Sequence, residues 1–264
     1  SLNLSGSGVT VTSTSDTVTI IAYTQAVTLT PKAGASWGSG NITIDNYHAS
    51  NAVTLGGDVT ITGTFTLTRG DFDVAGNDLT CKLCTGSGTA TRCIKDTVGG
   101  GKVTSIQTTG DGITFATTTG LTLGDGAGNN VPEFVHDPSA ALTADVNFDM
   151  GNTEDQIFGA ITVNEHEGDF FTYLKSGGSF ATLTCEEPGE SKYSSVKFET
   201  SKNFTILTDF SPTGIKAEGS ADHASLICED EETTLVFTDC EIKNLDASGG
   251  AIWDATARSD EGGN

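Results

Sequence analysis

Apolar and polar residues alternate in short runs along the chain. In the first half, valine, isoleucine, leucine or phenylalanine occupies every second position of a run, and threonine, serine or aspartate usually stands between. A period of two places successive side chains on opposite faces, so these runs predict short β-strands with one buried and one polar face. The first-half runs contain Val9/Val11, Val18/Ile20, Val27/Leu29, Ile42/Ile44, Val53/Leu55, Val59/Ile61, Phe65/Leu67 and Phe72/Val74.

One short pattern occurs twice, twenty residues apart. Residues 55–61 read LGGDVTI and residues 74–80 read VAGNDLT, so that Asp58 matches Asp78 and Val59 matches Leu79. Both copies place a glycine-containing turn before an aspartate and a strand. Such a recurrence predicts one turn of a solenoid.

Two folds fit many short strands separated by turns: a β-sandwich or jelly roll, and a parallel β-helix. Sandwiches favour tight hairpin turns such as Asn-Gly, and this sequence contains no Asn-Gly pair. Together with the twenty-residue repeat, this favours the β-helix. We therefore predict an all-β chain in which residues 1–264 form one elongated parallel β-helix of about a dozen coils, with the sandwich as the alternative. The stretch 128–142 holds two of the five prolines and predicts a lateral loop or a seam.

The charge of the chain excludes several classes of partner. Its 264 residues carry 13 Lys and Arg against 35 Asp and Glu, a formal net charge of -22. This negative potential opposes binding to nucleic acid or to an anionic membrane. No run of about 18 apolar residues predicts a membrane-spanning helix. The chain opens on Ser1 without a signal segment, as expected for a mature secreted chain or an excised piece.

Three segments resemble right-handed parallel β-helix proteins of bacterial surfaces and phages. Residues 233–264 are similar to the last coils of those proteins through DASGGAIWDA, the closing GGN and the residues before them. Residues 54–81 and 214–227 resemble their repeated coils. The matching single residues of the last segment are Val236, Phe237, Cys240, Ile242 and Asn244. The three segments cover a little under one third of the chain.

The resemblance implies a right-handed β-helix and a function outside the cell. Our first expectation is a non-catalytic structural subunit that self-associates into a surface filament or forms part of a virion fibre or decoration layer. Open coil ends at Ser1 and Asn264 motivate it, because an uncapped sheet edge accepts another chain. The alternative is a glycan-binding adhesin or receptor-binding module, and a polysaccharide-degrading enzyme comes third. The location expected is extracellular, on a cell or virion surface.

Six cysteines raise the question of metal, redox chemistry or structure. Three of them lie within the threonine- and glycine-rich run 76–93. The full set is Cys81, Cys84, Cys93, Cys185, Cys228 and Cys240. A zinc site needs a second close pair or two histidines, and a thioredoxin-like motif needs a strand followed by a helix. Neither context is present, so we expect disulfides first, with buried thiols and a metal site as the alternatives.

A structural calcium ion is the one cofactor that the sequence suggests. Asp71 and Asp73 stand one residue apart, and Asp125 and Asn129 share the loop GDGAGNN. Their oxygen atoms are the ligand type that calcium prefers. The alternative is that these residues cap turns, since Asp, Asn and Gly tolerate turn conformations. Any calcium bound there would be structural.

An enzyme is not expected. Polysaccharide hydrolases of this fold class pair aspartates within one coil, whereas Asp-Asp never occurs here. The only arginines are Arg69, Arg92 and Arg258. For glycan binding the candidate is Trp37, which glycines flank in GASWGSG, while Tyr23, Tyr47, Tyr173 and Tyr193 offer further rings that can stack on sugars.

Overall fold

The described part of the chain consists of β-strands joined by turns and loops. A computed structural model describes residues 9–14, 17–23, 26–30, 40–47, 51–86, 88–115, 118–149, 151, 157–164, 170–185, 195–199, 203–211, 214–217, 224–228, 234–236, 245–249 and 252–254. These ranges contain twenty-five strands and no helix. Accordingly, no helix in them is long and apolar enough to cross a membrane.

The strands are short, and most follow the predicted alternation. Those of the first half are β1 (Val9–Thr14), β2 (Thr17–Ala22), β3 (Val27–Leu29), β4 (Asn41–Asp45), β5 (Val53–Leu55), β6 (Val59–Thr60), β7 (Thr64–Asp73), β8 (Leu79–Cys81), β9 (Leu83–Gly86), β10 (Arg92–Lys95), β11 (Lys102–Ser105), β12 (Gly110–Thr114) and β13 (Leu121–Leu123). Those of the second half are β14 (Glu133–His136), β15 (Val146–Asp149), β16 (Ile157–Val163), β17 (Thr172–Lys175), β18 (Gly178–Cys185), β19 (Ser195–Phe198), β20 (Asn203–Ser211), β21 (Gly214–Ala217), β22 (Ala224–Cys228), β23 (Thr234–Val236), β24 (Leu245–Gly249) and β25 (Ile252–Asp254).

The strands form three long sheets and one separate pair, and nearly all neighbours are parallel. Sheet 1 has the order β1-β2-β4-β7-β9-β12-β15-β17-β19-β21, and only its β1–β2 pair is antiparallel. Sheet 2 has the order β3-β5-β7-β10-β13 and shares β7 with sheet 1. Sheet 3 has the order β24-β22-β20-β18-β16-β14-β11-β8-β6, and β23 pairs with β25. The chain is therefore all-β with long parallel sheets, as predicted at that level.

The chain visits the sheets in a fixed rotation. From β4 it passes to β5 and β6, and the same succession of sheets 1, 2 and 3 recurs through β14. Cys84 of β9, for example, pairs with Phe65 on one side and Ile113 on the other, nineteen and twenty-nine residues away. Parallel neighbours require such long connections, and strands linked in this order fit a β-helix.

The twenty-residue correspondence of the sequence is confirmed as a strand register. Val59 and Leu79 are parallel partners in sheet 3. The amide of Asp78 donates a hydrogen bond of 3.0 Å to Oδ1 of Asp58. The matching aspartates therefore stack at equivalent turns of successive strands.

The core consists of apolar side chains that lie in register from strand to strand. In sheet 3, one buried column runs Val59, Leu79, Val103, Phe134, Ile161 and Leu183. In sheet 2, another runs Val27, Val53, Phe72, Ile94 and Leu123. Full burial of such a side chain stabilises the fold by roughly 1.5–3 kcal/mol. Because each strand contributes to the same columns, stability is distributed along the sheets.

The proline-containing stretch 128–142 includes a central strand. Its residues Glu133–His136 form β14, which pairs with β11 on one side and with β16 on the other. Sheet 3 therefore runs through this stretch without interruption. The seam and the single-domain organisation stay predictions.

Replacing Phe134 with alanine tests the core. Its buried ring contacts Phe115 and Phe158 edge to face, at centroid distances of 6.2 and 6.1 Å. We expect Phe134→Ala to lower the free energy of unfolding by about 3–5 kcal/mol, because a cavity replaces the ring. Phe170→Ala is the matched control, since Phe170 is 38 % exposed, and it should cost less than about 1 kcal/mol. If urea unfolding showed equal losses of unfolding free energy for the two variants, this packing of Phe134 in the core would be contradicted.

Replacing Asp78 with asparagine tests the stacked aspartates. Burial raises the pKa of Asp78 above its usual 3.8, and the charge of Asp58 raises it further. Folding therefore penalises the ionised Asp78 carboxylate above its folded pKa, and the penalty is gone below pH 3.8, where both states are protonated. We expect Asp78→Asn to raise the urea midpoint at pH 7 and to lose this advantage as the pH falls toward 3.8. An effect of Asp78→Asn on the urea midpoint that does not change with pH would contradict this penalty.

Candidate functional site

The C-x-x-C motif lies at a corner between two sheets. Cys81 ends β8 of sheet 3, and after one residue at the corner the chain enters β9 of sheet 1, which contains Cys84. Both side chains are fully buried and hydrogen bond with each other. Cys84 lies in a core column between Phe65 and Ile113. This pair is therefore part of the core wall.

Three of the described cysteines are free thiols. Cys81, Cys84 and Cys93 are not linked by a disulfide. The hydrogen bond with Cys81 and burial raise the pKa of Cys84 well above its usual range, while burial and the charge of Asp71 raise that of Cys93 to about 11. The thiolates of Cys84 and Cys93 are thus scarce at neutral pH, and the thiolate is the form of cysteine that acts as a nucleophile and as a metal ligand.

The remaining three cysteines lie in the second half. Cys185 and Cys228 end β18 and β22 of sheet 3, and Cys240 lies outside the described residues. In sheet 3 the register partner of Cys185 is Val163, and that of Cys228 is Ile206. A disulfide that involves Cys185, Cys228 or Cys240 stays a prediction.

The carboxylates suggested as calcium ligands already bind groups of the protein. Oδ2 of Asp71 accepts a hydrogen bond of 2.6 Å from Nζ of Lys95. Oδ1 of Asp73 accepts from the amides of Ala75 and Thr97, at 2.9 and 3.1 Å. Both aspartates therefore hold neighbouring chain segments in place.

Asp125 and Asn129 form a closed turn. Oδ1 of Asp125 accepts hydrogen bonds from the amides of Ala127 and Asn129, and Oδ2 accepts from the Asn129 side chain at 2.9 Å. These bonds, the side-chain bond first, lower the pKa of Asp125. Across the described ranges, no three His, Cys, Asp or Glu side chains lie close enough to hold a metal ion. Calcium binding stays a prediction, and the geometry of these residues is that of turn caps.

Asp96 forms a further turn cap that was not predicted from the sequence. The buried carboxylate of Asp96 accepts from the amides of Gly76 and Gly99 through Oδ1, at 2.7 and 3.1 Å, and from Gly101 through Oδ2 at 2.8 Å. It joins its own glycine-rich loop to the turn of the preceding strand layer. The signal available in the sequence was the aspartate that stands directly before TVGGG.

The buried histidine has a structural environment. Nδ1 of His136 lies 2.6 Å from Oγ1 of Thr172, and Nε2 lies 3.0 Å from the carbonyl oxygen of Gln107. His136 also lies in the sheet 3 column between Ser105 and Val163. Both ring nitrogens have partners inside the protein, so His136 is positioned to join three strand layers.

An exposed aromatic corner is the most distinctive surface feature near the predicted sugar-binding rings. It consists of Tyr23 after β2, Tyr47 after β4 and Arg69 in β7. The two rings stack with a centroid distance of 5.1 Å, and the Arg69 guanidinium lies 3.7 Å from the centre of the Tyr47 ring. Nε of Arg69 also lies 3.3 Å from Oδ1 of Asp45. Because β4 lies between β2 and β7, Tyr47 is flanked by Tyr23 and Arg69.

The aromatic corner adjoins a small pocket. Tyr23 and Tyr47 remain 51 % and 47 % exposed despite their stacking. A pocket of about 250 Å³ opens beside Tyr47 and is lined by Asn46, Tyr47, Arg69, Gly70, Asp71, Ala90 and Thr91. Aromatic rings beside amide, carboxylate and guanidinium groups offer both stacking and hydrogen bonding to a sugar. This surface is the candidate glycan site among the described residues.

The other predicted glycan residues lie elsewhere. Trp37 and Tyr193 fall outside the described residues. Tyr173 is buried in β17, and the Nζ atoms of Lys175 and Lys197 lie 4.9 and 4.8 Å from its ring centre. The sequence spacing of Tyr23 and Tyr47 matches the register of β2 and β4, which was the signal that could have paired them.

The two described arginines, Arg69 and Arg92, have separate structural roles. Arg69 belongs to the aromatic corner, and Arg258 lies outside the described residues. Arg92 is fully buried and donates hydrogen bonds through Nη1 to the carbonyl oxygens of Ala90 and Thr119, at 3.1 and 3.0 Å. Burial lowers the pKa of this guanidinium. Arg92 therefore ties together two turns of the core.

Thiol labelling tests the cysteine geometry. We expect native protein at pH 8 to react slowly with iodoacetamide at Cys81, Cys84 and Cys93, because Cys81 and Cys84 are fully buried and the pKa values of Cys84 and Cys93 are raised. All three should label rapidly in urea without reductant. Peptide mass spectrometry measures each site. Rapid native labelling of Cys84 would contradict its burial, and protection in urea that only reductant removes would establish a disulfide.

Comparisons of the chain with protein-family models, with curated proteins and with solved structures find no match. Function is therefore inferred from the residues of this chain.

Proposed function

We propose that the chain is a right-handed parallel β-helix that serves as a non-catalytic, extracellular structural subunit. The observation that carries the proposal is the parallel pairing of all neighbouring strands from β2 to β21 in sheet 1 and from β6 to β24 in sheet 3. A β-sandwich or jelly roll would be built from antiparallel pairs, and β1–β2 is the antiparallel pair among the described strands. Right-handedness is favoured because crossovers between parallel strands of one sheet have that hand in nearly all proteins.

Self-association is supported by the ends of the sheets. Within the described residues, the terminal strands β3, β6 and β24 each pair with a neighbour on one side. An edge strand with free backbone groups is a template for a strand of another chain. We therefore place the protein in a surface filament, or in a fibre or decoration layer of a virion.

The alternatives rank below this function. A glycan-binding role is supported by the aromatic corner and its pocket, and it is compatible with a structural subunit. An enzymatic role has less support, because Asp73, Asp96 and Asp125 cap turns and accept hydrogen bonds from backbone amides. A group that must exchange protons or bind substrate needs accessible lone pairs.

Sedimentation tests the structural role. We expect the purified chain to associate as its concentration rises, and electron microscopy to show rods that join end to end and survive calcium chelation. The same measurements with reductant distinguish association through strand pairing from association through disulfides between chains. A chain that remains monomeric at high concentration, and shows no ordered assembly in micrographs, would contradict the proposal.

A proline variant at the end of sheet 2 sharpens this test. Val27 and Leu29 use their backbone groups to bond with Ala52 and Gly56 across the β3–β5 pair. Backbone groups alternate in direction along a strand, so the amide of Thr28 points to the open edge. Thr28→Pro removes that donor without breaking the β3–β5 pair, and should weaken association by about tenfold through lost strand pairing. Thr28→Val keeps the amide and is the control.

A further inference from the structure

Threonines form a regular grid on the outer face of sheet 1. One column runs through five neighbouring strands as Thr19, Thr43, Thr66, Thr85 and Thr114. A second column, two residues earlier on β2, β4 and β7, contains Thr17, Asn41 and Thr64, and on β9 it continues with Leu83. We call the seven threonines and Asn41 the threonine grid. All eight are half-buried, whereas the residues between them point into the core.

The grid is held in a fixed geometry by the sheet beneath it. Between the two columns lie Val18, Ile42 and Phe65, which pair in register and pack in or against the core. The register from β2 to β7 first shifts after Ile44, beyond the grid. β-Branched threonine has few side-chain conformers on a strand, so its hydroxyl and methyl groups are pre-positioned.

Asn41 continues the second column in place of threonine. Its Nδ2 donates a hydrogen bond of 3.3 Å to Oγ1 of Thr17, and its Oδ1 accepts one of 2.7 Å from the amide of Thr64. The side chain is thereby fixed between the two threonines. The column therefore carries a polar side chain on each of β2, β4 and β7.

The grid has two repeats that follow from strand geometry. Same-face residues two apart lie about 6.6–6.8 Å from each other along a strand, and neighbouring strands lie about 4.8 Å apart. Five strands give a length of about 19 Å. Both repeats are close to the spacings between oxygen atoms on the faces of hexagonal ice. Water held by methyl and hydroxyl groups on such a grid is therefore arranged near its positions in the crystal.

The composition of the grid disfavours other ligands. It contains no charged residue, although the chain has a net charge of -22. The charged residues Asp45, Arg69 and Asp149 begin at its borders, as the register of sheet 1 places them. Protein interfaces are enriched in Tyr, Trp, Phe, Met and Arg, and nucleic acids require cations, whereas the grid offers neither. Seven threonines and one asparagine, repeated along and across the strands, match a periodic ligand.

We infer that the threonine grid is an ice-binding surface. Ordered water between the threonine methyl groups, anchored by their hydroxyls, joins the lattice of the crystal and fixes the protein to it. Bridging waters of this kind serve as well as direct hydrogen bonds when they are well ordered. This function goes beyond the proposed structural role and does not depend on self-association.

Ice assays on the purified chain test the inference. We expect wild-type protein to inhibit ice recrystallisation, to shape growing crystals and to partition into a growing ice shell. Thr66→Lys and Thr43→Lys place a charge in the centre of the grid and should each reduce recrystallisation inhibition by at least about tenfold, equivalent to roughly 1.4 kcal/mol of binding. Circular dichroism and thermal unfolding establish that both variants are folded.

Thr80→Lys is the matched control. Thr80 is a half-buried threonine on the outer face of sheet 3, with Thr60 and Thr104 as register partners. It should retain wild-type activity on ice. The inference is overturned if wild type neither inhibits recrystallisation nor enters ice, if Thr66→Lys retains full activity, or if Thr80→Lys loses as much as Thr66→Lys. Binding of wild type to crystalline cellulose or chitin in the absence of ice binding would overturn it in favour of a periodic glycan.

Discussion

The in-register hydrogen bonding of parallel strands is the constraint on which the rest of the molecule depends. It places each residue directly above its partner at about the strand spacing of 4.8 Å, so every position is repeated as a column. Inward columns must then be apolar, as Val59, Leu79 and Val103 are in sheet 3. A polar residue that enters such a column needs partners within the core, and His136 finds them in Thr172 and Gln107.

The same constraint decides what the outer surface can do. Side chains at the corners stack on one another, so that Tyr23, Tyr47 and Arg69 combine into one surface although they come from three separate strand segments. Side chains on a flat face line up instead, and a column of one residue type becomes a periodic surface. The aromatic corner and the threonine grid therefore both result from the strand register. A substitution in either of them changes the column to which the residue belongs as well as the residue's own site.

The sequence predicted what is local and missed what depends on register. The alternation of apolar and polar residues predicted the strands. The correspondence of Asp58 and Asp78 predicted one strand register, because a glycine-containing turn precedes the aspartate in both copies of the pattern. The threonine grid was not predicted, because unequal numbers of residues separate its threonines in the sequence and only the fold aligns them. These threonines are Thr43, Thr66, Thr85 and Thr114. The roles of Asp73 and Asp125 also depended on amide donors that a sequence does not position. Trp37 lies outside the described residues and stays a prediction.

Charge separates the possible contacts of the molecule. A flat, uncharged sheet face about 19 Å long is a hazard, because neutral β surfaces associate with one another. The carboxylates of Asp73, Asp96 and Asp125 lie at turns and strand ends, where they accept hydrogen bonds from backbone amides. At a net charge of -22, two copies of the chain repel each other, and salt weakens this repulsion. Under the proposed function, assembly through the sheet ends has to overcome this repulsion, whereas an uncharged ligand on the threonine grid does not experience it.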